Sequence, residues 1–197
     1  MNRIIRSLVL PAVGLALASA GCESMPWNKN DNSDDMKKAV ATIKPAKAAS
    51  TRPAWGNPGG TVTFTDKGAD KVRVEAKLTG LSPGEHGFHI HEKGDLSAAD
   101  LASAGAHFNP AGHKHAGPKD ASRHAGDLGN ITADASGNAK LDITVDGISI
   151  GTAAANDILG KSVILHEKAD DLTTNPSGNS GGRIGGGVIE LKKAKKE

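Results

Sequence analysis

In the run Val72-Arg73-Val74-Glu75-Ala76-Lys77-Leu78 every apolar residue falls on one face and every charge on the other. A two-residue period of this kind belongs to a half-buried antiparallel strand, because successive side chains of an extended chain point to opposite sides. The pattern recurs. Val62 and Phe64 alternate with threonines, and Ala139, Leu141, Ile143 and Val145 alternate with Lys140, Asp142 and Thr144. Shorter runs of the same character occupy 38–44, 86–91, 128–133, 161–166 and 187–191, separated by turn signals such as Asp66-Lys67-Gly68, Ser82-Pro83-Gly84 and Ala135-Ser136-Gly137-Asn138. Eight short strands without a convincing amphipathic helix predict an all-β domain, either a sandwich or a small closed barrel. Aromatic residues are only 3% and Tyr is absent, so the core must be built from Val, Ile, Leu and Ala.

The ends of the chain read differently. Arg3 and Arg6 precede an apolar run over 8–20 that is too short for an ordinary membrane-spanning helix, which marks residues 1–21 as an export signal. The run closes Ala18-Ser19-Ala20-Gly21-Cys22. Small residues before the only Cys of the chain suit a bacterial lipoprotein signal with Cys22 lipidated, and Ala18-x-Ala20 also suits ordinary cleavage before Gly21. The lipoprotein reading is favoured, since a lone Cys at this one position is an improbable accident. It places the protein in the periplasm or cell envelope, anchored to membrane through Cys22. Residues 22–37 are polar and acidic and read as a flexible tether, 38–192 as the barrel, and 193–197 as a basic tail. Removal of Arg3 and Arg6 takes the formal charge from +2 to zero, so nothing points to nucleic acid as a partner.

Parity places the chemistry. If Phe88 and Ile90 face the core, His89 and His91 face outward from the same strand; by the same logic Val163 and Leu165 go inward and His166 outward. Histidines on an outer wall need a cover, and the aperiodic stretch 92–123 supplies one. A loop of that length is normally functional, and metal binding can organise a segment that lacks a core of its own.

Six of the 8 His lie at His89, His91, His107, His115, His124 and His166. A His-x-His on a strand is a moderate signal, used also by zinc hydrolases, carbonic anhydrases and cupins. His107, His115, His124 and Asp127 add three nitrogens and a carboxylate, a tetrahedral zinc set. Together these are too many ligands for one ion. Two adjacent sites follow, one of nitrogens only and suited to copper, the other His/Asp and suited to zinc.

The strings GFHIHE from Gly87, HFNP from His107, KHAGPKD from Lys114, RHAGDLGN from Arg123, HEKADDL from His166 and GNSGGRI from Gly178 resemble those of the copper-zinc superoxide dismutase family, in the same order. The resemblance covers about 38–191. It implies an eight-stranded Greek-key barrel or sandwich with a long metal-binding loop and a second, electrostatic loop before Arg183. It implies copper at His89, His91, His107 and His166, and zinc at His107, His115, His124 and Asp127, with His107 shared. Asp170 is implied as the carboxylate joining a copper histidine to a zinc histidine, and Arg183 as the residue that attracts and orients the anionic substrate. The implied activity is disproportionation of superoxide to O2 and H2O2 through Cu(II)/Cu(I) cycling, with a structural zinc. Dimer contacts vary within the family, so a homodimer is compatible with the resemblance but not identified by any apolar strip.

Three features depart from the family. The positions that would carry its intrachain disulfide hold Leu101 and Gly186, so loop rigidity and the placement of Arg183 must rest on apolar packing. The segment 171–180 is short and nearly uncharged, leaving Arg183 more of the steering, and residues 45–58, with Trp55, form an enlarged first turn. His86 is expected to support the barrel by hydrogen bonds and His113 to lie on the surface. The rival reading from another class is a non-catalytic metal-binding or copper-delivery domain on the same barrel. A zinc-only hydrolase is weaker, because no general base is placed for it.

Overall fold

The computed structural model describes residues 36–51 and 56–192. The expected signal, Cys22, the tether as far as residue 35, Trp27, Trp55 and the basic tail lie outside the described residues. Eight strands form: β1 (Lys38–Pro45), β2 (Gly59–Asp66), β3 (Lys71–Thr79), β4 (Gly84–His91), β5 (Asp127–Ala133), β6 (Ala139–Asp146), β7 (Ser162–His166) and β8 (Arg183–Leu191). They close into one antiparallel barrel in the order β1-β2-β3-β6-β5-β4-β7-β8, which resolves the choice between sandwich and barrel. The β3–β6 and β4–β7 neighbours are not consecutive in sequence, which is the Greek-key arrangement.

Register follows the hydrophobic pattern. Val72, Val74, Ala76 and Leu78 of β3 pair with Val145, Ile143, Leu141 and Ala139 of β6, and Phe64 and Val62 of β2 pair with Val74 and Ala76. A slip of one residue would turn each of these faces outward, so the pairing is strongly specified. The interior is filled by Phe64, Phe88, Ile90, Ile131, Ile158, Leu165 and Ile184, all fully buried. On the outer wall Arg73 grips Asp142 through two hydrogen bonds of 2.9 and 2.7 Å. As an exposed pair screened by solvent it adds little to stability.

Two differences from the predicted strands have a common cause. β4 begins at Gly84 and β8 at Arg183, both earlier than their sequence patterns suggest. The extra residues include Gly84 in β4 and Gly185 and Gly186 in β8, which carry no side chain with which to alternate.

The connections that matter for function are residues 92–126, between β4 and β5, and 167–182, between β7 and β8. The first loop folds back against β4. Phe108 N–H donates to Ile90 O (2.8 Å), Gly126 N–H to Phe108 O (2.9 Å) and Ile90 N–H to Gly126 O (2.9 Å), and His91 pairs with His107 in an isolated bridge. Phe108, 5% exposed, pins this return to the core.

Candidate metal centre

Phe88 and Ile90 pair with Leu165 and Val163 on the inner face of β4 and β7. His89 and His91 therefore stand on the opposite face, and both are nevertheless buried, because residues 92–126 cover them. A shift of register between Leu165 and His166 turns the end of β7 toward the same cluster. The backbone return at Phe108 brings His107 beside His91, and Asp127 opens β5. Strands thus carry His89, His91, Asp127 and His166, while the first loop carries His107, His115 and His124.

These side chains converge as two groups. Ligand-capable atoms of His89, His91, His107 and His166 lie within 4.8 Å of one another, as do those of His107, His115, His124 and Asp127. His107 belongs to both. Its Nδ1 is 2.9 Å from Asp127 Oδ1, and its Nε2 is buried without a hydrogen-bond partner.

The unpartnered atoms identify what the sites are made for. His89 Nδ1, His107 Nε2, His115 Nδ1 and His124 Nδ1 are buried and make no hydrogen bond. Buried polar atoms are nearly always satisfied, so four orphans in one place call for a ligand. The other ring nitrogens of several of these residues are engaged: His89 Nε2 with Asp170 Oδ2 (2.8 Å), His115 Nε2 with Asp170 Oδ1 (2.8 Å) and His91 Nδ1 with Gly105 O (2.9 Å). His91 Nε2 and His166 Nε2 face each other at 3.4 Å. With Nδ1 of His91 donating to a carbonyl, its Nε2 is left as a lone pair, the form a metal requires. His115 Nδ1 and His124 Nδ1 lie 3.1 and 3.3 Å from Asp127 Oδ1. The second oxygen of Asp127 accepts the backbone N–H groups of Ala116 and His124. The donor sets therefore fit two ions, four nitrogens for one and three nitrogens with a carboxylate for the other.

Proton affinities follow the same geometry. Burial lowers His89 to about 4 against the pull of Asp170. Burial, then the neighbouring His107 and Arg183, hold His91 well below the ordinary imidazole value, and burial with His89 does the same for His166. His115 is the exception. Burial opposes its protonation, but Asp127 and Asp170 together outweigh that and raise it to about 9. Burial alone would raise both carboxyls; hydrogen bonds from the histidines prevail and hold Asp127 and Asp170 far below the usual carboxylate range.

Asp170 lies outside both sets and joins a histidine of one, His89, to a histidine of the other, His115. Asn130 fixes its backbone from both sides, donating to Asp170 O (2.9 Å) and accepting from Asp170 N–H (2.7 Å). Gly178, at φ 61°, lies so close over the Asp170–His115 bond that a Cβ there would overlap the carboxylate. Asn175 Oδ1 accepts the His115 N–H at 2.9 Å and ties the second loop to the first. Asn130, Asn175 and Gly178 were not singled out from sequence; their contacts run largely through backbone atoms, which leave no pattern in side-chain types.

Arg183 donates from Nη1 to Leu101 O and from Nη2 to Gly105 O, both at 2.7 Å. Leu101 adopts φ 60°, ψ 20°. That left-handed conformation costs an ordinary residue about 1–2 kcal/mol. Burial of a leucine side chain contributes about 1.5–3 kcal/mol, enough to hold it there. The side chain is 5% exposed, and its Cδ1 lies 3.3 Å from where a Cβ on Gly186 would stand. The expected apolar packing at the two positions without cysteine is therefore present. His86 Nδ1 donates to His166 O (2.8 Å) while its Nε2 lies 3.2 Å from the Ser82 hydroxyl, a supporting role, and His113 is exposed with Nδ1 3.2 Å from Arg123 O.

A closed Greek-key barrel with paired histidine sites sharing one imidazole describes a class of two-metal protein. The copper/zinc superoxide dismutase (SODC) family model matches residues 59–189, and the chain belongs to that family, whose members bind copper and zinc. A solved structure described as that of the clock protein EA4 is 40% identical, covering 79% of this chain and 94% of that one with a TM-score of 0.67.

Proposed function

We propose that the protein is a superoxide dismutase, with copper at His89, His91, His107 and His166 and zinc at His107, His115, His124 and Asp127. The observation that carries this reading is His107, which offers Nδ1 to one buried donor set and an unpartnered Nε2 to the other. Two ions so linked suit a reaction that needs an electron store beside a proton store. Bound there, copper supplies one-electron chemistry between Cu(II) and Cu(I), so that one superoxide leaves as O2 and a second leaves as H2O2, while zinc supplies a fixed charge without redox.

The protein's own groups do the rest. His107 can hold a proton at Nε2 and pass it on, while Nδ1 keeps the ring oriented toward Asp127. Asp170 fixes the tautomers of His89 and His115 together. The guanidinium of Arg183 supplies positive charge beside His91, which draws in an anion and weakens with salt. Superoxide anions repel each other, and a site that takes them one at a time removes that barrier.

Purified protein loaded with both metals should dismutate superoxide, and Arg183→Ala should lower the rate by about tenfold and flatten its salt dependence. A metal-replete sample without activity rejects the proposal. The name of the EA4 structure and the absent disulfide favour one other reading, a non-catalytic metal-binding or copper-delivery domain. Copper that passes readily to a chelator, with no turnover, would support it. We further propose export and anchoring through a lipidated Cys22; the mass of the mature N-terminus decides between that and a free N-terminus at Gly21.

A further inference from the structure

We propose that Leu101 is the positioning residue for Arg183: its side chain pegs the turn 101–105 into the barrel beside Gly186, and its carbonyl holds the guanidinium. The inference rests on the dismutase reading for its kinetic consequence, though not for its geometry.

Arg183 begins β8 and its guanidinium donates to two carbonyls of one turn, from Nη1 to Leu101 O and from Nη2 to Gly105 O. The turn is closed by Leu101 N–H to Ala98 O (3.0 Å), Ala104 N–H to Leu101 O (3.1 Å) and Gly105 N–H to Ala102 O (3.1 Å). Gly105 O also accepts from His91 Nδ1. A single rigid turn therefore relates the arginine to a histidine of the four-nitrogen set. What fixes the turn to the barrel is Leu101. Gly186, three residues beyond Arg183 on the same strand, leaves the space that the leucine fills; a Cβ there would crowd Leu101 Cδ1 at 3.3 Å and Ile164 Cδ1 at 2.8 Å. Leu101, at φ 60° and ψ 20°, thus sends its side chain into that space and its carbonyl to Nη1. The sequence contains one Cys, at position 22, so no covalent link within the barrel can do this instead.

Leu101→Ala removes the peg and leaves every backbone group in place. At unchanged copper content and visible spectrum, the rate per bound copper and the affinity for azide, used as a probe anion, should each fall about three- to tenfold. Leu101→Met, which keeps a long apolar side chain, should restore both to within about twofold. In the double variant with Arg183→Ala the loss should not exceed that of Arg183→Ala alone, since the leucine acts only through the arginine. Additive losses, or a Leu101→Ala protein with unchanged azide affinity, overturn the proposal. The unmodified protein gives a second test in its diamagnetic Cu(I) form: separate, slowly averaged Nη proton signals from Arg183 are expected, and a single averaged signal overturns the proposal even where Leu101→Ala fails to fold. Neither azide binding nor the Nη signals require turnover. Their presence in a protein that does not dismutate superoxide would defeat the functional reading while leaving the positioning role intact.

Discussion

Across β3 and β6, Val72, Val74 and Ala76 face Val145, Ile143 and Leu141, and the wall closes on side chains that exclude water. Across the cover formed by residues 92–126 and 167–182, the corresponding contacts are His115 to Asp170, His89 to Asp170, His107 to Asp127 and Arg183 to two carbonyls. The wall is stabilised by area and shape, which tolerate exchange of one apolar residue for another. The cover is stabilised by directional bonds between buried polar groups, several of which still leave a nitrogen without a partner. Such groups are costly unless paired, so the cover depends on something bound in a way the wall does not.

Metal removal tests this difference most severely. A site loaded a thousandfold above its Kd contributes about 4 kcal/mol to stability. For a chain of this size that corresponds to about 8–16 °C in Tm for each site. Chelation should also raise amide exchange throughout 92–126 and 167–182 while β2, β3 and β6 stay protected. Equal exchange in wall and cover would break the comparison.

The reverse lesion is Phe64→Ala, in β2 and remote from the histidines. Loss of a fully buried phenylalanine costs about 3–5 kcal/mol. Denaturant titration should show that loss, and elemental analysis of the folded fraction should still find both metals at full stoichiometry. A fall in metal content matching the fall in stability would mean that wall and cover are one unit.

The two regions were also unequally legible in the sequence. β2, β3 and β6 are buried on one face only, so their alternation can be read directly, whereas the pairing of β3 with β6 and the register of Val72 with Val145 emerge only in the structure. β8 could be read only from 187 onward, because Gly185 and Gly186 before it erase the period that marks a strand. In the cover, the residue types of both ligand sets were visible, since imidazoles this numerous have few other uses. The joining of His89 to His115 through Asp170 was not; an isolated aspartate reads as a turn residue, and only resemblance to a family pointed to it. Leu101 was recognisable as apolar, but its left-handed backbone was not, because local propensity disfavours that conformation at a leucine.

Asp170→Asn sharpens the contrast by striking the cover at the point where the two sets meet. An amide cannot accept from both rings in the way a carboxylate does. Loss of a partner that orients a ligand typically costs 10–100-fold in metal affinity. At about 1.4 kcal/mol per tenfold this is about 1.4–2.8 kcal/mol at each site. Competition with a chelator should show weakening at both sites together. Weakening at one site alone would mean that the bridge does not couple them.

The smallest effect expected is the pH dependence of the protein stripped of metal, and its sign separates the two regions again. The wall holds almost no buried titratable group, so the cover dominates. His89, His91, His124 and His166 have folded-state affinities below the ordinary imidazole value, with burial as the leading cause. For each, the unfolded chain binds more protons between the two values, so stability is lost as pH falls below about 6.5. His115, raised to about 9 by Asp127 and Asp170 against its burial, acts in the opposite direction: the folded chain holds the extra proton, and stability is lost as pH rises from about 6.5 toward 9. Four groups against one make the acid limb the steeper. Urea midpoints between pH 4 and 9 should therefore fall sharply on the acid side and gently on the alkaline side. A symmetric profile would show that proton binding to the stripped cover is not governed by burial of these rings.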